Sequence, residues 1–194
     1  NLVFNPGPST FHLEMEFNTE LRQPYALDGK ASWRYGTADS MAFSGEATLQ
    51  GDMASVELVH VLTRPYPVDS RIRIFGFVEN VGNPYIDASN SWEEIKFRIA
   101  PDRELVIRDG TLDANGSLDQ LGLVLESTLD SEQAQGIKLF ANVKLTPTTA
   151  LLEPFTVRHQ DMQLDATGSV TFEGPITVKL DLAGRGLDPE IFMP

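Results

Sequence analysis

Along much of the chain, apolar and polar side chains alternate one by one. Phe11, Leu13, Met15 and Phe17 are interleaved with His12, Glu14, Glu16 and Asn18. A period of two is that of a β-strand, whose successive side chains point to opposite faces, so this segment carries one apolar and one polar face. The pattern returns at Ile95, Phe97 and Ile99 and, after a one-residue slip in phase, at Leu118, Leu121, Leu123 and Leu125. It is cleanest toward the end: Ile137, Leu139, Ala141, Val143 and Leu145 form one run, Met162, Leu164 and Ala166 another, and Ile176, Val178, Leu180 and Leu182 a third. Clusters of Gly, Pro, Asn and Asp separate these runs. Asn115-Gly116, between Leu112 and Leu118, predicts a type I′ hairpin, yet Asp109-Gly110 stands shortly before it. Both cannot close hairpins between long strands, so one of them is predicted to be a bulge.

Helices are nearly absent. Residues 130–135 are the best candidate, but they are too few to cover a sheet, and 126–134 show no apolar stripe at helical spacing. With no helix to cover them, the apolar faces must meet each other in a sandwich, close into a barrel, or line a groove that holds something apolar. There are signs of repetition. Residues 21–30 align without gaps on 62–71, and Gly29, Ser32, Trp33, Met41, Phe43 and Gly45 echo Gly168, Thr171, Phe172, Leu180, Leu182 and Gly184. Repetition favours an extended stack over a closed globule, with internal units over about 21–61, 62–104 and 105–194.

Composition narrows the function. The 194 residues, 41% hydrophobic and 22% charged, suit a folded chain rather than a disordered one. A net charge of −13, with 15 basic residues scattered along the sequence, argues against nucleic acid, which needs clustered Lys and Arg. It also disfavours docking of the outer surface on anionic headgroups. The absence of Cys excludes disulfides, thiolate catalysis and Cys-based metal sites. No run of residues is long and apolar enough for a membrane helix, and no signal peptide is recognisable. The opening Asn1-Leu2-Val3-Phe4 and the apolar close Ile191-Phe192-Met193-Pro194 read as a single segment, 1–194, of a longer polypeptide.

The run Arg22-Gln23-Pro24-Tyr25-Ala26-Leu27-Asp28-Gly29-Lys30-Ala31-Ser32-Trp33 resembles the Y-x-L-x-G-x-x-x-W stretch of the TamB family, within the AsmA-like superfamily. So do Gly110-Thr111-Leu112-Asp113-Ala114-Asn115-Gly116, the alternating strands after it, and Gly168-Ser169-Val170-Thr171-Phe172 leading to Gly184-Arg185-Gly186-Leu187-Asp188-Pro189. The resemblance runs from about Leu21 to the end and departs at residues 75–86, where Asn80-Val81-Gly82-Asn83-Pro84 interrupts the strands. It implies an all-β fold in which an extended, twisted antiparallel sheet curls into an open apolar groove (a β-taco), with a β-sandwich as the alternative.

The function it implies is non-enzymatic. The chain would be a periplasmic portion of a protein anchored in the inner membrane of a Gram-negative envelope. Its groove would shield phospholipid acyl chains on their way to the outer membrane, and it would serve outer-membrane protein assembly, with an outer-membrane Omp85-type partner engaged through the full-length protein and adjacent repeats of the same chain as neighbours. No cofactor is implied. The groove lining expected from the alternation comprises Phe11, Leu13, Met15, Phe17, Ile95, Phe97, Ile99, Leu121, Leu123, Leu125, Ile137, Leu139, Val143, Leu145, Met162, Leu164, Ile176, Val178, Leu180 and Leu182. Burying a methylene is worth about 0.8 kcal/mol, so a sixteen-carbon chain gains on the order of 13 kcal/mol from an unbroken apolar lining. A requirement of that kind writes a pattern into the sequence rather than a motif. In the sandwich alternative, the chain would be an interaction or carbohydrate-binding module.

Other chemistry finds little support. His12, Glu14 and Glu16 share one strand face and could ligate a metal, but a solvated face has the same pattern. Asp113-Ala114-Asn115-Gly116-Ser117 begins like a calcium loop, yet Leu118 and Val124 occupy the positions that need Gly and Glu. His159 and Asp161 lack a nucleophile elbow to serve. Glu93-Glu94, with the acids between Asp102 and Glu132, would have to face one cleft to act on a glycoside. Trp33, Trp92 and Tyr85 could stack on sugars, although apolar neighbours mark them as packing or lining groups.

Overall fold

A computed structural model of the chain describes residues 2–4, 10–37, 40–78, 82–100, 103–132 and 134–186. Asn1, Asn80, Val81, Asp102, Leu187-Asp188-Pro189 and the closing Ile191 to Pro194 therefore lie outside the described residues. The fold class is all-β: every regular element among the described residues is a strand. The chain divides into two compact units, residues 1–90 and 91–194.

Unit 1 contains β1 (Leu2–Phe4), β2 (Thr10–Thr19), β3 (Leu27–Thr37), β4 (Ser40–Gly51), β5 (Ser55–Arg64), β6 (Val68–Phe75) and the start of β7 (Tyr85–Ala100). Unit 2 holds the rest of β7 with β8 (Arg103–Ser117), β9 (Gln120–Asp130), β10 (Ile137–Leu145), β11 (Thr149–His159), β12 (Met162–Thr171) and β13 (Thr177–Arg185). In each unit the strands form an open antiparallel meander in which neighbours in the sheet are neighbours in the chain. Among the described residues, neither unit places a second sheet over the first, as a sandwich would.

Turn chemistry sets the register. Asp52 Oδ1 accepts from the backbone N–H of Ala54 (2.7 Å) and Ser55 (3.1 Å), closing β4 onto β5. Thr146 does the same between β10 and β11 through the N–H of Thr149 (3.0 Å). The sequence expectation for the β8–β9 hairpin is resolved in a way the Asn-Gly rule does not give. The turn is Leu118-Asp119, and Asn115-Gly116 lies inside β8, paired with Gly122 and Leu121. Glycine is nonetheless required at 116, because a Cβ there would collide with the Gln120 carbonyl oxygen. Asp109-Gly110 is the bulge, between Arg108 and Thr111, with Asp109 at φ 48°. A second bulge at Glu153-Pro154 shifts β11 between Leu152 and Phe155, a place where proline's missing N–H is tolerated.

The helix candidate at 130–135 is not helical: Asp130 ends β9, and the loop after it is tied by Ser131 N–H to Ala134 O (2.8 Å). The two aligned stretches 21–30 and 62–71 both enter a strand from a turn, with Pro24 and Pro65 at equivalent places in the β2–β3 and β5–β6 connections. Three strands separate them. In an antiparallel meander the two turns therefore open at opposite strand ends.

Candidate apolar binding face

The strand registers decide which side chains share a face. In unit 1, Leu13 pairs with Trp33, Trp33 with Gly45, Gly45 with Leu62, and Leu62 with Val68. The next row runs Met15, Ala31, Ala47, His60 and Ser70, and the one after it Phe17, Gly29, Leu49, Leu58 and Ile72. Phe11, Tyr35 and Phe43 form a row on the other side of Leu13. Every residue in these rows lies on one face. The opposite face carries Glu14, Ser32 and Glu46 in one row and Glu16, Lys30 and Thr48 in the next.

Unit 2 repeats the arrangement. Leu112, Leu125, Ala141, Phe155, Ala166 and Leu182 are successive partners across six strands. Ala114, Leu123, Val143, Leu152, Gly168 and Leu180 form the adjoining row, and Gly116, Leu121, Leu145, Ala150, Val170 and Val178 the third. Toward the other strand ends, Leu139, Val157 and Leu164 continue the same face, followed by Ile137 beside Leu129.

This face is not a sealed core. Among the described residues no large side chain is fully buried, and the hydrophobic residues that reach burial are Ala134, Ala141, Met162 and Ala166. Met15 is 67% exposed, Leu180 56% and Leu182 63%. A sandwich interior would hide such groups almost completely. In unit 1 small residues lower the floor: Met15, Phe17, Gly29, Ala31, Ala47, Leu49 and Leu58 surround a depression of about 170 Å³.

Beside that depression lies the most specific contact on the face. The Trp33 Nε1–H donates to His60 Nε2 at 3.1 Å, and the two rings lie edge to edge with centroids 5.9 Å apart and planes 11° from parallel. Because the indole N–H is only a donor, His60 accepts at Nε2 and is in the tautomer with its proton on Nδ1. Trp33 stands on β3 and His60 on β5, so the pair bridges over β4. Gly45 makes room for it: a Cβ at that position would lie 2.8 Å from both Trp33 Nε1 and His60 Nε2 and 2.9 Å from the Val61 carbonyl oxygen. Phe11 extends the cluster on the far side of Trp33, with ring centroids 6.3 Å apart.

The residues expected to line a groove fall as follows. Phe11, Leu13, Met15 and Phe17 share the unit 1 face. Leu121, Leu123, Leu125, Ile137, Leu139, Val143, Leu145, Met162, Leu164, Val178, Leu180 and Leu182 share the unit 2 face. Ile95, Phe97 and Ile99 on β7 alternate with Glu94, which pairs with Arg108 on the polar face, so they too point to the apolar side. Ile176 lies just before β13 and is 72% exposed. Trp33, read from sequence as a packing or lining aromatic, is on the unit 1 face, whereas Tyr35, Leu49, Val56, Leu58, Leu62, Ile72 and Ile74 in unit 1, and Leu112, Leu152, Phe155 and Val157 in unit 2, were missed by sequence periodicity.

The competing chemistries are not assembled. His12, Glu14 and Glu16 lie on the polar face of β2, and no group of three His, Asp or Glu among the described residues is placed to hold a metal ion. Glu93 and Glu94 are consecutive in a strand and point to opposite faces. His159 pairs with Met162 at the end of β11, and Asp161 is in the turn between them. Trp33 is bound to His60, and Tyr85 packs on Phe75 at 4.9 Å. Trp92 packs its indole over Gly110, where its buried Nε1 has no hydrogen-bond partner among the described residues.

Charge gathers on the polar face. Glu94 bridges Lys96 (2.9 Å) and Arg108 (3.3 Å), and Arg108 also meets Asp130 (3.4 Å). The hydrogen bond from Lys96, aided by both cations, holds the Glu94 carboxyl below its ordinary value against partial desolvation. Asp165 is held low as well, first by the Thr156 hydroxyl (2.8 Å), then by Gln163 (2.6 Å) and the charges of Arg158 and Arg185. Basic residues that are scattered in sequence are gathered by register, since Arg108, Thr128, Lys138, Arg158, Gln163 and Arg185 are successive partners in one row. Compared with known proteins, the chain matches no family model, no curated protein and no solved structure.

Proposed function

We propose that the chain is a non-enzymatic, lipid-carrying segment whose apolar sheet face shields phospholipid acyl chains. The observation that carries this reading is the continuity of the face. In each unit the cross-strand rows are predominantly apolar over successive strands, with His60, Ser70 and Ser127 as polar members, without a second sheet above them among the described residues, and large groups such as Leu180 remain more than half exposed. An uncovered apolar surface of this extent needs an occupant. The rows run across the strands, so a long apolar chain lying along a row meets a new apolar side chain about every 4.8 Å.

On this reading the segment belongs to a longer bridge between the two membranes of a Gram-negative envelope, anchored in the inner one. It serves phospholipid transport and outer-membrane biogenesis, with an Omp85-type outer-membrane partner engaged by the whole protein. The resemblance of 22–33 and of the later Gly-rich stretches to the TamB family supports the assignment.

Photo-crosslinking residues placed at Leu139 and Leu180 test it in cells. Capture of phospholipid at both positions, with none at Lys179 on the polar face, is the expected result. No capture at either, while a known lipid carrier captures lipid under the same conditions, would overturn it.

A further inference from the structure

We propose that Arg158, Arg185 and Asp161, at one rim of unit 2, form a site for a zwitterionic headgroup that carries a phosphate next to an ammonium, as in an ethanolamine phospholipid. The ligand class rests on the acyl-carrying reading above; the site itself rests on the following geometry.

The basic row is not uniformly available. Arg108 is occupied by Glu94 and Asp130, and Lys138 donates to Thr128 Oγ1 at 2.7 Å. Arg158 and Arg185 are exposed, flank Gln163 on either side, and meet no carboxylate of the described residues at ion-pair distance. Gln163 sets their spacing: Arg185 Nη2 donates to Gln163 Oε1 (2.6 Å), and Gln163 Nε2 donates to Asp165 Oδ2 (2.6 Å). The other Asp165 oxygen accepts from Thr156, so that carboxylate is engaged within the sheet. A depression of about 480 Å³ opens between Arg158, Gln160, Asp161, Gln163 and Arg185. That is many times the roughly 30 Å³ of one water.

Two arginines that line one depression offer the guanidinium forks that grip a phosphate. Asp161 lines the same depression and would repel a simple phosphate. It is matched instead by a ligand that bears an ammonium a few bonds from its phosphate, so all three charges find a partner. The depression also lies at the β11–β12 turn, where Met162 faces the apolar side. A lipid whose chains rest on that side can therefore bring its head round the strand ends.

The test uses the full chain, with the arginine side-chain N–H resonances followed by NMR. The probes are soluble phosphoethanolamine and the dihexanoyl lipids of ethanolamine, choline and glycerol headgroups. The ethanolamine lipid should shift Arg158 and Arg185 and bind more tightly than the other two lipids. R158Q and R185Q should each weaken it roughly two- to fivefold, the scale of an exposed charge contact. D161N should remove its advantage over the glycerol lipid. Soluble phosphoethanolamine binding as tightly as the lipid would make this a site for free phosphate compounds and overturn the lipid assignment. Equal binding of all three lipids, unchanged by R158Q and R185Q, would overturn the headgroup site. Crosslinking at Leu180 reports separately on the chains: lipid capture there that is unaffected by R158Q leaves the carrying reading intact while the headgroup site fails.

Discussion

Replacing Gly45 with alanine should break the bridge between Trp33 and His60. The added Cβ would stand 2.8 Å from both ring nitrogens and 2.9 Å from the Val61 carbonyl, closer than carbon can approach any of them. The backbone carbonyl is fixed in the sheet, so the rings must give way. Losing the indole–imidazole hydrogen bond costs about 1 kcal/mol, and displacing the rings from a closely packed site about another 1–2 kcal/mol. Alanine offsets some 0.4–1 kcal/mol by restricting the unfolded chain. The net expectation is a destabilisation of about 1–2 kcal/mol.

The chain has two tryptophans, so a W92F background leaves Trp33 as the sole fluorophore for urea unfolding. G45A should lower the midpoint and shift the Trp33 indole N–H resonance upfield as its acceptor is lost. A double-mutant cycle with W33F, followed by circular dichroism, isolates the cause, since phenylalanine lacks the atom that meets the new Cβ. The coupling between G45A and W33F should reach about 1 kcal/mol, with the residual cost of G45A coming from the Val61 contact. Equal costs for G45A with and without the W33F substitution would refute the claim that glycine is there to seat the ring pair.

Gly110 presents the same logic in unit 2: a Cβ there would run into the Trp92 indole, so G110A should cost about 1–3 kcal/mol, and W92F should recover most of it, as urea midpoints would show. The Asp165 carboxyl, held low by Thr156, contributes stability that is present above its unfolded-state value and lost as pH falls through the folded one. T156V should therefore raise its titration midpoint toward the ordinary carboxylate value, measured by carboxyl NMR. L180D should reduce binding of an apolar fluorescent dye while changing stability by no more than about 1 kcal/mol, because the side chain is already mostly exposed. K179D, one residue away on the polar face, should leave dye binding unchanged.

The fold class and one side of the site were legible because alternation survives wherever a strand has one wet face. β2, β10 and β13 show it residue by residue, and all the lining positions read from them that lie within strands share a face within their own unit. The missed positions have identifiable causes. β5 places Val59 and Val61 on the polar side and His60 on the apolar side, so its period of two is hidden. β11 changes phase at the Glu153-Pro154 bulge, which moves Phe155 and Val157 onto the face that Leu152 had occupied. On β3 and β4 the lining is broken up by Gly29, Ala31, Gly45 and Ala47, which carry little hydrophobic signal although Gly29, Ala31 and Ala47 shape the depression. The Asn115-Gly116 signal was chemically correct and positionally misleading, since the glycine is needed beside the turn rather than in it. Pairings across strands, such as Trp33 with His60 or the row from Arg108 to Arg185, depend on register, and register cannot be read from local composition.

That difference between strand and row bears on how such a face could work. Along a strand the sequence alternates, and any single apolar residue can be exchanged for another with little consequence. Across the strands, each row is a succession of partners drawn from distant parts of the chain, and an occupant lying along it meets every member in turn. A polar residue in one strand then interrupts an entire row, whereas the same change on the opposite face interrupts nothing. The natural interruptions in unit 1 are His60 and Ser70, in the row of Met15, Ala31 and Ala47, and at the first of them the imidazole Nε2 is engaged by the Trp33 N–H, edge to edge with the indole. The bridge over Gly45 thus gives one polar atom of the row a partner within the face, where the sequence alone would leave it to water. For that reason W33A should weaken apolar dye binding more than its lost area predicts, by leaving the His60 Nε2 without its donor as well as removing an apolar ring.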